Sequence, residues 1–266
     1  MDRSILNKYK KEEEKLILSK ILDKISFCET RNQIQVTDFL DLAQKELILK
    51  FLKYQNVENY IFFGGNENAE RVTVIFYPSK LENLIKENKI NFGEWIKVVR
   101  ITLPNENIGK YNHQNYLGAL MKLGIKREKV GDILVDDKGA DILIKTDILK
   151  FILANLTELT RFQKSKIEEI ELNELRQIEE KKEKFTITVS SNRLDNIVAE
   201  LAKCSRSKAN ELILQERVLV NYQTITRQTK EIKENDRITI RGKGRFEIKE
   251  KVGNTKKGRI VIEVEK

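Results

Sequence analysis

The apolar positions of this chain change period along its length, and each change marks a different piece of structure. Between residues 4 and 54 they recur at helical spacing. Leu16, Leu18, Ile21, Leu22 and Ile25 line one helix; Phe39, Leu42, Ala43, Leu47 and Leu52 line a second, with Thr37 or Asp38 placed to cap it. Asn59 to Gly65 reads as a turn, with Phe62-Phe63-Gly64-Gly65 a strand end running into it. Arg71 to Tyr77 is a strand that Pro78 stops. From Trp95 the pattern runs strand (Trp95 to Leu103), helix (Asn112 to Leu123) and strand (Asp132 to Val135). It continues as strand (Ala140 to Lys145), helix (Asp147 to Leu156) and a last strand between Arg161 and Leu172. That order is the split βαβ arrangement of ferredoxin-like and RRM-like domains. A sheet that stacks RNA bases carries aromatic residues on its central strands, whereas Gly139-Ala140-Asp141-Ile142-Leu143-Ile144 is aliphatic, so base stacking there is not expected.

A dense run of charge from Lys164 to Lys184 reads as that last strand followed by a solvated helix or linker through Glu179-Glu180-Lys181-Lys182. Alternation returns in the strand Phe185 to Val189. Leu194, Ile197, Val198 and Leu201 then form a short amphipathic helix, with Ser190, Ser191 or Asn192 as its cap and Asp195 at the positive end of its dipole. Ser205 or Ser207 opens another helix, turning Ala209, Leu212 and Ile213 inward and Arg206, Lys208 and later Arg217 outward. Val218 to Val220 is a strand ending at Asn221. A helix start carrying Ser205-Arg206-Ser207-Lys208 offers backbone N–H groups, hydroxyls and cations within one turn, a natural setting for phosphate.

Charge sharpens this picture. The net charge is +9, and residues 184–266 hold 19 Lys and Arg against 11 Asp and Glu, while the rest of the chain holds 31 against 30. A basic excess confined to one module is the footprint of polyanion binding. Cys28 and Cys204 lie far apart without metal-ligand spacing, so neither a zinc site nor a disulfide framework is expected. No apolar run approaches membrane-spanning length and the first residues lack a signal-peptide core, which points to the cytoplasm and to no membrane insertion. The expected organisation is α+β: a mainly helical segment (1–80), an RRM-like middle domain (81–178) and a basic module (183–266).

That basic module resembles the S4 (αL-type) RNA-binding domain. The resemblance rests on Arg193-Leu194-Asp195, Ser205-Arg206, Leu212-Ile213, Val218-Leu219-Val220-Asn221 and Asn235-Asp236-Arg237-Ile238, in that order. The chain departs from the family at Glu216, where a glycine usually follows the second helix; either Glu216 bears about 1 kcal/mol of left-handed strain or the helix ends differently. The middle domain resembles that of the YlmH-type proteins. Tyr116-Leu117-Gly118 and Leu123-Gly124-Ile125-Lys126-Arg127-Glu128 before Gly131-Asp132-Ile133 match, while His113-Gln114-Asn115 replaces His-Arg-Asp.

The RNA-binding residues expected from the S4-like pattern and its basic continuation are Arg193, Ser205, Arg206, Ser207, Lys208, Arg217, Asn221, Arg227, Arg241, Lys243 and Arg245. Phe246 is placed to pack or stack beside the last of these, and Asp195 to hold Arg193 or the helix cap. His113, Lys126 and Arg127 are candidate secondary RNA contacts, with a structural role the alternative for His113 and a solvated helix end the alternative for Lys126 and Arg127; His113 has no neighbouring carboxylate or nucleophile that would make it catalytic. Gly253-Asn254-Thr255-Lys256-Lys257-Gly258-Arg259 lacks the Gly-Lys-Ser/Thr ending of a P-loop and reads as a hairpin turn. The expected protein is a monomeric, non-enzymatic RNA binder without cofactors or metals, and the YlmH resemblance adds its cellular setting. That resemblance implies binding to rRNA and tRNA on large ribosomal subunits, in quality control of stalled peptidyl-tRNA complexes, and a link to cell division. The alternatives are an S4-containing RNA-modifying enzyme, for which no methyl-donor loop or synthetase motif is present, and an adaptor joining RNA to a cell-division partner.

Overall fold

The computed structural model describes residues 3–87, 89–177 and 183–266. The expected linker at Glu179 to Lys182 lies outside the described residues. The chain divides into two units, residues 1–178 and 179–266.

In the first unit, α1 (Glu12–Arg31) buries Leu18, Ile21, Leu22, Ile25 and Cys28 along one face. It is followed by β1 (Gln35–Val36), α2 (Leu42–Tyr54), β2 (Tyr60–Phe63), β3 (Thr73–Phe76) and the short α3 (Glu82–Lys86). The cap of α2 is Asp41 rather than Thr37 or Asp38: its carboxylate accepts the Gln44 N–H while the Gln44 side chain accepts the Asp41 N–H. Thr37 and Leu40 are held extended along β3, donating to the carbonyls of Val74 and Val72, which leaves neither Thr37 nor Asp38 at a helix start. The stretch read as a turn from Asn59 instead contains β2, which pairs antiparallel with β3, and only then turns at Gly64-Gly65. The helices close over this three-stranded sheet through Ile48, Phe51, Leu52, Val74 and Phe76.

The remainder of the first unit is β4 (Ile96–Thr102), α4 (His113–Lys122), β5 (Val130–Asp136), β6 (Gly139–Lys145), α5 (Leu149–Asn155) and β7 (Lys166–Ile170). The sheet order β5-β6-β4-β7 with every pair antiparallel is the ferredoxin-like topology that the element order predicts. One face, through Val99, Ile101, Ile142 and Ile144, packs on Tyr116, Leu120, Ile152 and Phe162 from the helical side. The other face is also covered. Phe39, ahead of α2, and Leu175, after β7, are buried with Ile96, Val98 and Leu143, and Phe63 and Leu172 pack beside them. Every residue of β6 is therefore buried, as in a strand sandwiched between layers.

This cover is pinned by polar contacts. The Arg71 guanidinium donates to the carbonyls of Val130 (2.9 Å) and Phe39 (3.1 Å), the Glu70 and Arg71 N–H groups donate to the Asp132 carboxylate, and Lys145 Nζ donates to the Thr37 carbonyl at 3.0 Å. On the same face the fully buried Asp141 accepts both Arg100 Nε (2.8 Å) and Arg100 Nη2 (2.6 Å), together with the Arg176 N–H (2.9 Å).

The second unit runs β8 (Lys184–Val189), α6 (Leu194–Ala202), α7 (Arg206–Leu214), β9 (Val218–Val220), β10 (Gln223–Thr224), β11 (Arg237–Ile240), β12 (Gly244–Asn254) and β13 (Ile260–Glu265). Its antiparallel sheet has the order β10-β9-β11-β12-β13-β8, and α6 and α7 pack on it through Leu194, Ile197, Val198, Ala209 and Ile213. The glycine-spaced run after Ile240 is a tight turn only over 241–243, because Gly244 already pairs with Ile240 and opens β12. Phe246 is consequently a core residue, 4% exposed and edge-on to Phe185, and is not available to stack on a base.

Candidate nucleic-acid interface

The α6 start is closed rather than open. Arg193 occupies the cap position and caps nothing with its side chain, and neither Ser190, Ser191 nor Asn192 takes that role. The first helical N–H groups are instead consumed by the loop before β11: Leu194 N donates to Lys230 O (2.9 Å) and Asp195 N to Gln228 O (3.1 Å). Asp195, 1% exposed, turns its carboxylate back to three donors. Arg193 Nε and Nη2 lie at 3.1 and 2.8 Å, Arg206 Nε and Nη2 at 3.0 and 2.7 Å, and Asn196 N at 3.0 Å. Burial alone would raise the Asp195 pKa; the hydrogen bonds from Arg193 and Arg206 outweigh it and hold the group below the usual carboxylate value. The acid thus stays ionised and fixes two guanidiniums whose outer edges remain exposed, with side-chain exposures of 39% and 53%.

Arg206 is also the first residue of α7, whose cap is Ser205: its hydroxyl accepts the Lys208 N–H at 3.2 Å. Ser207 is exposed on the same turn. Lys208 leans along the helix onto Glu211 at 2.5 Å. At its other end α7 closes with Arg217 N donating to Leu212 O and Glu216 N to Ile213 O, a Schellman arrangement that puts Glu216 at φ 57°. The helix therefore ends as one terminated by glycine would, with Glu216 carrying the left-handed strain.

The other sequence-derived residues fall into separate places. Arg217 Nη2 donates to Arg241 O (3.2 Å) and Arg241 N to Arg217 O (2.9 Å), so Arg217 and the exposed Arg241-Gly242-Lys243 turn form one cluster at that end of the sheet. Arg245 follows in β12 opposite Thr239. Asn221 has both ends of its side-chain amide engaged within the chain, donating to Asp236 and accepting the Arg237 N–H, and so shapes the turn between strands. Arg227 is exposed in the loop beyond β10, with Nε 3.4 Å from the Thr229 hydroxyl.

In the first unit, Arg127 is a brace. Its guanidinium donates to Val130 O (2.6 Å) and Gly131 O (3.3 Å), and burial, with the neighbouring Arg71 charge, lowers its pKa to about 10. His113 is the first residue of α4, behind the Asn112 cap; partial desolvation of its ring and then the Arg127 charge lower its pKa. Lys126 is exposed just before it reaches that brace. Asp141, Arg100 and Arg176 form an ionic knot that no local pattern signals, because the partners lie on different elements. Among the described residues no group of acidic, His and Cys side chains is arranged to hold a metal ion, and no helix is long and apolar enough to cross a membrane.

Two family models match this chain: one described as "Putative RNA-binding domain in YlmH" over residues 92–174, and the S4 domain over residues 192–238. The chain carries a YlmH-type RNA-binding domain and an S4 domain. The YlmH-type domain coincides with the ferredoxin-like sheet, and the S4 domain spans α6 through the first residues of β11. The chain is similar to the ribosome-associated protein quality control protein P2 of Bacillus subtilis, at 29% identity over 93% of each chain. It is also similar to the solved structure of the cell division protein ylmH from Streptococcus pneumoniae, at 22% identity with a TM-score of 0.48, over 63% of this chain and 98% of that one.

Proposed function

We propose that this protein is a non-enzymatic factor that binds RNA on the ribosome through its S4 domain, at the large subunit and its bound tRNA, in quality control of stalled translation. The observation that carries the reading is the Arg193–Asp195–Arg206 group: a buried acid fixes two exposed guanidiniums beside the Ser205-capped start of α7, in the module that holds the chain's basic excess. Guanidiniums held this way, with hydroxyls and helix-start amides alongside, suit backbone phosphate. The likeness to a quality-control protein over nearly the whole length of both chains supports the cellular setting. The covered sheet of the YlmH-type domain argues against base stacking on that sheet.

The test is sedimentation of the full chain with purified large subunits, with and without peptidyl-tRNA, at low and high salt, followed by crosslinking. Co-migration that high salt abolishes, with crosslinks to rRNA or tRNA from residues 193–245, is the expected result. Arg206→Ala should weaken binding and flatten its salt dependence; no change in either would overturn the assignment of α7.

A further inference from the structure

The S4 model stops at residue 238, and the chain beyond it builds a long hairpin that the RNA-binding residues discussed so far leave largely unused. We propose that the end of this hairpin, with Lys251 on β12 and Lys256, Lys257 and Arg259 in the turn, is a second RNA contact that grips backbone phosphates beside the Arg193–Arg206 pair; the proposal rests on the S4 domain binding RNA.

Four observations support it. No acidic residue lies between Glu250 and Glu263, so this stretch is purely cationic. All four cations are exposed, and among the described residues none of them makes an ion pair, whereas Lys184, Lys208, Arg237 and Lys249 of the same unit do. The turn is closed by hydrogen bonds: Thr255 N donates to Arg259 O (2.8 Å), Gly258 N to Thr255 O (2.9 Å) and Arg259 N to the Thr255 hydroxyl (3.1 Å). Its place is fixed by register. Ile260 of β13 pairs with Val189 of β8, so the turn leaves the sheet at the end where β8 hands over to the loop bearing Arg193. The Arg241-Gly242-Lys243 turn stands at the opposite end of β12.

Three of the four cations are lysines, point charges without the fork geometry that reads a base, and Arg259 can add a bidentate phosphate contact; a hairpin end tipped with them suits the phosphate rows of a paired RNA stem. The exposed Val252 between these cations adds an apolar side chain to the hairpin. The contact is therefore expected to be sequence-independent and strongly salt-dependent.

The experiment is fluorescence anisotropy of the full chain with a labelled RNA stem-loop, titrated across salt concentrations. It compares the wild type, the combined variant K251Q/K256Q/K257Q/R259Q and Arg206→Ala, with a thermal melt of each. Each lost phosphate contact should reduce the slope of log affinity against log salt by about 0.7–0.9, so the combined variant should be shallower by about 3 and bind at least ~10-fold more weakly near physiological salt. Single K256Q and K257Q variants should each remove about one unit of slope, which keeps the test valid if the combined variant melts early. The arginine-for-lysine variant K256R/K257R should bind like wild type. Wild-type binding with an unchanged slope in the combined variant overturns the hairpin contact while leaving the S4 reading intact. Failure of the wild type to bind the stem-loop, or a turn-dependent affinity for anionic lipid vesicles instead of RNA, overturns both.

Discussion

Arg206 of α7 reaches back to Asp195 at the start of α6 and sets its Nη2 2.7 Å from the buried carboxylate, so that one acid joins the two helices of the proposed RNA contact. Asp195 is therefore a structural residue with a functional consequence. Removing its charge with Asp195→Asn should cost about 1–3 kcal/mol of stability, since the single amide oxygen cannot hold both guanidiniums through two N–H groups each, and should weaken the proposed RNA binding by loosening both arginines. Urea denaturation and RNA anisotropy on the same variant check both halves.

The same acid gives a pH dependence. Its folded pKa lies below the unfolded value, so the stability it contributes is present above about pH 4 and is lost as pH falls through the folded pKa. Acid unfolding of the S4 unit should consequently begin at higher pH, and fall less steeply, in Asp195→Asn than in the wild type.

Lys145 acts in the same direction, in an alkaline window. Burial lowers its pKa to about 8 while its Nζ donates to the Thr37 carbonyl. A lysine that gives up its proton earlier when folded makes the unfolded state bind more protons between about pH 8 and pH 10, so stability of the first unit should rise with pH across that window. Lys145→Met should remove the rise, measured by thermal melts at a series of alkaline pH values.

Glu216 sits at φ 57° where glycine would be unstrained. Glu216→Gly should stabilise the second unit by about 0.5–1 kcal/mol, raising its melting temperature by roughly 2–8 °C, with RNA affinity unchanged. Calorimetry of the full chain is sufficient.

Gly131 lets Phe39 lie against the sheet: a Cβ there would stand 2.6 and 2.8 Å from ring carbons of Phe39 and 3.0 Å from Leu143 Cβ. Gly131→Ala should displace the Phe39 ring and destabilise the first unit by about 1–3 kcal/mol. Hydrogen exchange should then rise at the Phe39 N–H, which donates to Glu128 O at 2.7 Å in the native state.

Periodicity was enough to place the strands and helices of the ferredoxin-like sheet and both S4 helices, because each buries a regular stripe of its own. It misplaced the caps of α2 and α6, though Ser205 does cap α7. Arg193 precedes α6 because the loop carbonyls of Gln228 and Lys230, more than thirty residues away, take the helix-start N–H groups, and no local pattern carries that information. Thr37 lost its capping role to β3 in the same way. The cover on the second sheet face was equally hidden, since Phe39 and Leu175 are far apart in sequence and become one layer only in the fold. Asp195 as an internal partner was legible because Arg193 lies two residues away; the reach of Arg206 was not.

The fixed geometry of Arg193 and Arg206 also bears on how fast and how tightly a phosphate can be held. A free arginine surrenders about 2 kcal/mol of rotamer freedom when it is immobilised on a ligand. Here Asp195 has already confined both side chains before any ligand arrives, so an incoming phosphate meets donors that need little further ordering, and most of the interaction it makes appears as affinity.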